Sequence, residues 1–226
     1  MLTIYTELSS ELSAHGLSLR GGFHPRAEDG VPEVADGKPT RTLILVGNVG
    51  AGLWPVFAPH IDGERHPMDR WTRTTVGEIA KAFDARAVFP FDAPPLPFQR
   101  WALRCEPVRP SPLGILMHPD HGLWHAYRAA LLFADVIDLP AMEDRPSPCE
   151  TCIDRPCLAA CPVGAFTAAG YDVAACAGHL DSPEGRVCLD NGCRARAACP
   201  VAADRAYPPD QIRFHMAAFH RAVGRG

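Results

Sequence analysis

The chain has 226 residues, 47% of them hydrophobic and 21% charged, with a net charge of −4. This is the balance of an ordinary globular protein, and it offers no bulk basic field to draw nucleic acid. No apolar run reaches the roughly 18 residues that a membrane span requires, and MLTIYTELSSELSAHG lacks the basic-then-apolar order of a secretory signal, so a cytoplasmic protein with neither membrane nor nucleic acid as partner is expected.

Residues 3 to 15 can form a helix. GGFHPRAEDGVPEVADGKPT, 21–40, mixes glycine, proline and charge without periodicity and reads as loop. TLILVG, 42–47, is a continuous apolar run ending in turn residues, the pattern of a buried strand. A short helix over about 52–59 follows, with Pro55 against it. MDRWTRTTVGEIAKAFDA, 68–85, sets Trp71, Val76, Ile79, Ala80 and Phe83 near one helical face. AVFPF, 87–91, reads as the next strand. Residues 114–133, GILMHPDHGLWHAYRAALLF, fit either a hairpin turning at PDHG or a helix over 123–135, and the turn signal favours the hairpin. AMEDRPSP, 141–148, is a proline-rich linker, which places a domain boundary between residues 1–140 and 141–226. DQIRFHMAAFHRAV, 210–223, closes as an amphipathic helix with Ile212, Met216 and Phe219 on one side.

The cysteines carry the chemistry. Of nine, Cys105 stands alone and reads as a small buried hydrophobe. Cys149, Cys152, Cys157, Cys161, Cys176, Cys188, Cys193 and Cys199 crowd between residues 149 and 199. In a reducing compartment such a cluster points to metal rather than disulfides. CETCIDRPCLAACPVGAF, 149–166, spaces its thiols C-x2-C-x4-C-x3-C-P. The bacterial ferredoxin run is C-x2-C-x2-C-x3-C-P, in which a tight loop wraps three thiolates around one cubane and the fourth ligates a second cluster. Eight thiols suffice for two [4Fe-4S] clusters. On the crossed ferredoxin topology Cys149, Cys152 and Cys157 share one cluster with Cys199, which also precedes a proline, and Cys161 joins Cys176, Cys188 and Cys193 on the other. Structural zinc uses C-x2-C as well and stays open as an alternative. Arg155, Arg186, Arg194 and Arg196 lie between these thiols; they are either compensating charges or solvated surface groups. His179, three residues after Cys176, is either a donor to a ligand, a proton-relay group or a structural histidine.

Other signals are weaker. GNVGAG, 47–52, reads as a plain glycine turn, since it fits neither G-x-G-x-x-G nor a P-loop. His118, His121 and His125 read as turn or core histidines. No residue constellation for acid–base or nucleophilic catalysis stands out, so no catalytic residue is assigned.

HPDHGLWHAYRAALLFADVIDLP followed by CETCIDRPCLAACPVGAF resembles the junction in epoxyqueuosine reductase and the corrinoid-dependent reductive dehalogenases, and DVAACAGHLDS resembles their stretch carrying a further ligand. The resemblance covers roughly residues 110–200 well and 40–110 poorly. It implies a mixed α/β N-terminal domain followed by a small cysteine-rich, dicluster ferredoxin-like domain, an α+β chain. It also implies the same two ligand sets: Cys149, Cys152, Cys157 and Cys199, and Cys161, Cys176, Cys188 and Cys193. Neither Asp92 nor Glu106 sits in a motif matching the family's catalytic acid. The expected function is electron transfer through two [4Fe-4S] clusters to a redox partner protein. The alternatives are a cobalamin-dependent reductase, in which the clusters feed a corrinoid, and a non-redox zinc-binding module.

Overall fold

A computed structural model describes residues 3–167 and 169–224. In chain order its elements are α1 (Thr3–Ala14), β1 (Ser18–Phe23), β2 (Thr42–Val49), α2 (Trp54–Phe57), α3 (Pro67–Ala82), β3 (Arg86–Val88), α4 (Phe98–Cys105), β4 (Arg109–Pro110), β5 (Leu116–Met117) and β6 (His125–Phe133). Then come α5 (Pro156–Ala159), β7 (Phe166–Thr167), β8 (Gly170–Tyr171), α6 (Val173–Leu180), α7 (Arg186–Asn191), α8 (Arg194–Ala197) and α9 (Pro209–Val223). The chain divides into two compact units, residues 1–107 with 125–144 and residues 108–124 with 145–226. Residues 108–124 belong with the second unit.

The first unit is built on an antiparallel sheet of order β1-β2-β6-β3. The apolar run of β2 is buried along nearly its whole length because strands flank it on both sides. Leu43 faces Leu132 and Ile44 faces Leu131 in the β2–β6 ladder. AYRAALLF is thus strand, as the hairpin reading required. However, β6 pairs with β2 and β3, while β5 pairs with β4; the His118–Gly122 bridge closes the turn between β5 and β6. α3 buries Met68, Thr72, Val76, Ile79 and Ala80, a stripe at helical spacing, and packs on β3, β6 and α1. Fully burying Val76 or Ile79 contributes about 1.5–3 kcal/mol each.

Two elements were not expected from the sequence, and the first, β1, runs into the 21–40 stretch read as loop. SLRGGF forms β1 despite its glycines, and its Arg20 is 1% exposed. The Arg20 guanidinium donates from Nε and Nη2 to Glu106 Oε1 and Oε2 at 2.7 and 2.8 Å, and Tyr127 Oη donates to Glu106 Oε2 at 2.8 Å. A buried arginine persists only with such a bidentate partner. FQRWALRC forms α4, whose Trp101 is buried and donates Nε1–H to the Asp29 carbonyl at 2.9 Å.

The second unit carries little regular structure and few large apolar residues. Leu113, Met117, Leu123, Ala195 and Cys199 form its core cluster, with Cys149, Cys157, Leu158, Cys161, Phe166, Cys193 and Val201 packed on it. Five thiols thus stand where aliphatic side chains would fill a larger domain. Chains with so small a core commonly need a metal or cross-links to hold them. All nine cysteines are free thiols.

Candidate functional site

Each half of the second unit presents its thiols in the same local way. α5 and α8 are four-residue helices that pack on each other. Cys157 lies within α5 and Cys161-Pro162 follows its end; Cys193 caps the start of α8 and Cys199-Pro200 follows its end.

Cys149, Cys152, Cys157 and Cys199 line one cavity of about 290 Å³. Ser111, Leu113, Met117, Leu123, Pro200 and Val201 complete most of its wall. The thiols of Cys149, Cys157 and Cys199 are pushed up in pKa, first by burial and then by one another and Cys152. Cys188 and Cys193 are also raised by burial first, and then by a second group of neighbours: Cys176 with Cys193 for the former, Cys176 with Cys161 for the latter. Tyr171, hydrogen-bonded to Cys176, feels Cys193 and Cys161 as well. Cys149, Cys152, Cys157 and Cys199 thus lie near one another, and so do Cys161, Cys176, Cys188 and Cys193. Among the described residues no three His, Cys, Asp or Glu side chains close on a single metal-ion position.

Amide and side-chain donors point at the sulfurs. The Ala165 amide donates to Cys161 Sγ at 3.3 Å. Amides of Leu158, Val201, Arg194, and of Ala195 and Arg196, bond Cys157, Cys199, Cys188 and Cys193 respectively, and each favours the thiolate. Ser147 bonds Cys149 from the turn just before it. His179 Nε2 lies 3.7 Å from Cys188 Sγ. The spacing of the cysteines gave no sign of Ser147, Tyr171 or the 111–123 wall.

The four arginines between the thiols part ways. Arg155, in a left-handed conformation at φ 38°, lines the cavity. Arg186 is tied to Asp190 at 2.9 Å on the surface. Arg194 is close enough to lower the Cys188 pKa. Arg196 lies over the rings of Trp124 and Tyr207, 4.3 and 4.7 Å from their centroids, and donates Nη2–H to the Leu123 carbonyl at 2.6 Å. It thereby fastens the 108–124 segment to the cysteine-bearing segment.

The histidines of the PDHG turn hold the turn. His118 Nδ1 accepts the Asp120 and His121 amides at 3.0 and 3.3 Å, and the two rings stack 4.1 Å apart. His125 packs edge-on against Tyr127. Both candidate acids of the first unit are engaged: Asp92 with Arg73 and the Phe89 amide, Glu106 with Arg20 and Tyr127.

No helix among the described residues is long and apolar enough to cross a membrane. No family model matches the chain, and no curated protein matches it in sequence. Solved structures match it in fold. An epoxyqueuosine reductase solved with an epoxyqueuosine-modified tRNA-Tyr stem loop superimposes with a TM-score of 0.55 at 16% identity, over 91% of this chain and 67% of that one. Epoxyqueuosine reductase from Streptococcus thermophilus gives 0.56 at 13% identity, over 92% and 69%. The B12-trafficking protein CblC of C. elegans, a homologue of human MMACHC, gives 0.57 at 13% identity, over 98% and 94%. The α+β fold is thus the one this chain shares with epoxyqueuosine reductase and CblC.

Proposed function

We propose that the chain is an iron–sulfur electron-transfer protein whose second unit holds two [4Fe-4S] clusters and serves a redox partner protein. Cys149, Cys152, Cys157 and Cys199 hold one cluster, and Cys161, Cys176, Cys188 and Cys193 hold the other. The observation that carries this reading is the cavity of about 290 Å³ with the first four thiols in its wall. A single zinc ion draws its thiolates to about 2.3 Å; thiols disposed around a cavity suit a body with volume of its own. When bound, each cluster takes up and releases one electron. The protein's part is to hold the sulfurs, to aim amide N–H groups at them, and to keep water from the first set with Leu113, Met117, Leu123 and Val201.

A second reading is favoured by the fold. One neighbour is a B12-trafficking protein and others are epoxyqueuosine reductases, so the clusters would feed a corrinoid. The ion pair of Asp92 and the network around Glu106 leave neither as a ready proton donor, which sets the electron carrier first.

Protein purified without oxygen should be brown, with broad visible absorption bleached by dithionite and about eight irons per chain. A colourless protein with stoichiometric zinc would overturn both redox readings. Added cobalamin separates them: tight binding with a base-off spectrum favours the reductase, and no binding favours the carrier.

A further inference from the structure

Within the second set of thiols, two side chains outside the set reach the sulfurs. His179 Nε2 lies 3.7 Å from Cys188 Sγ, and the Tyr171 side chain is hydrogen-bonded to Cys176. Both are held in place by contacts independent of the thiols. His179 is on α6, one residue before the buried Leu180, and its carbonyl accepts the Ser182 hydroxyl at 2.7 Å. The α6 start is fixed by its cap, the Asp172 carboxylate accepting the Ala175 amide at 2.9 Å. Tyr171 stacks on Phe166 at 4.7 Å and on Phe219 of α9 at 6.5 Å.

A coordinating cysteine is a thiolate and can only accept hydrogen bonds, so the imidazole must present Nε2–H and the phenol its O–H. Donors to cluster sulfurs withdraw electron density and stabilise the reduced, more negative state. In the first set the Ser147 hydroxyl stands beside Cys149.

We infer that His179 and Tyr171 are positioning residues that raise the reduction potential of the cluster held by Cys161, Cys176, Cys188 and Cys193, and leave that of the other cluster unaffected. This rests on the two-cluster reading above.

The test is an EPR-monitored redox titration of the anaerobic full-length protein, with the second site's signal identified as the one lost in Cys176→Ala. His179→Leu should shift that couple about tenfold toward the oxidised form, about 59 mV for one electron. The other couple should not move. His179→Gln, which keeps an N–H donor, should recover much of the shift, and Tyr171→Phe should give a smaller shift of the same sign. Should His179→Leu lose iron, Tyr171→Phe decides: a lowered second couple supports the inference, and an unchanged one overturns it. Two couples in the wild type that neither variant moves overturn this inference alone. Wild-type protein without iron overturns the two-cluster reading and this inference with it.

Discussion

Replacing Gly122 by alanine should open the cavity lined by Cys149, Cys152, Cys157 and Cys199 without touching a thiol. Gly122 sits at φ 56°, where its amide and carbonyl both bond His118 at 2.9 Å. An added Cβ would lie 2.3 Å from the Val201 carbonyl oxygen and 3.0 Å from its carbon. Both are backbone atoms, so no side chain can swing aside to relieve the contact. Val201 lines the cavity, and its amide is bonded to the Cys199 thiol. The left-handed backbone costs alanine roughly 1–2 kcal/mol, and overpacking adds about 1–3 kcal/mol, so a loss of about 2–5 kcal/mol is expected. Gly114→Ala is the control, because Gly114 is at φ 74° with nothing within 4 Å of the added carbon. It should cost only the backbone part, about 1–2 kcal/mol. Anaerobic denaturant unfolding followed by circular dichroism measures both, and iron analysis follows the site. If the Gly122 variant were no less stable than the Gly114 variant and kept full iron, the contact between the PDHG turn and the Cys199-Pro200-Val201 segment would not be what closes the cavity.

Cys157→Ala and Cys188→Ala should each retain about half the iron of the wild type, since they fall in different sets; full iron in both would refute the ligand assignment. Glu106→Ala leaves Arg20 charged and buried, and should cost about 3–5 kcal/mol in equilibrium unfolding, while iron content stays unchanged. Asp120 is held below the usual carboxylate range, chiefly by its hydrogen bond from Arg145 at 2.6 Å. Its stabilising contribution is therefore complete above the unfolded value of about 3.9 and is lost as pH falls through the lower folded value. Arg145→Ala should bring the Asp120 titration, read by NMR, back toward 3.9; an unmoved titration would remove Arg145 as the cause.

Several elements were legible because one local pattern decided each. TLILVG could only be a buried strand, and the apolar stripes beginning at Met68 and Ile212 run at helical spacing. β1 escaped because its one strongly polar residue, Arg20, is neutralised by Glu106 from a position 86 residues away. α4 escaped because the proline-rich APPLPF ahead of it masks the short FQRWALRC stripe. In the hairpin region the turn was readable from PDHG, but its two arms join different sheets, and strand partners are not written in a local pattern. The site divides in the same way. The C-x3-C-P spacing carried the expectation of two crossed thiol sets. The side chains that touch the sulfurs, Ser147, Tyr171 and His179, are ordinary polar residues whose role depends on tertiary placement.

The excursion of residues 108–124 away from the sheet and back has a consequence for biogenesis. During synthesis Leu113, Met117 and Leu123 emerge before any of the clustered cysteines, and β6, which must join β2 to β3, emerges only after them. The nascent chain therefore carries an unfilled apolar wall until the last thiol, Cys199, has left the ribosome. A fragment beginning after residue 144 would lack Leu113, Met117 and Leu123, so on the two-cluster proposal iron loading would wait for the nearly finished polypeptide.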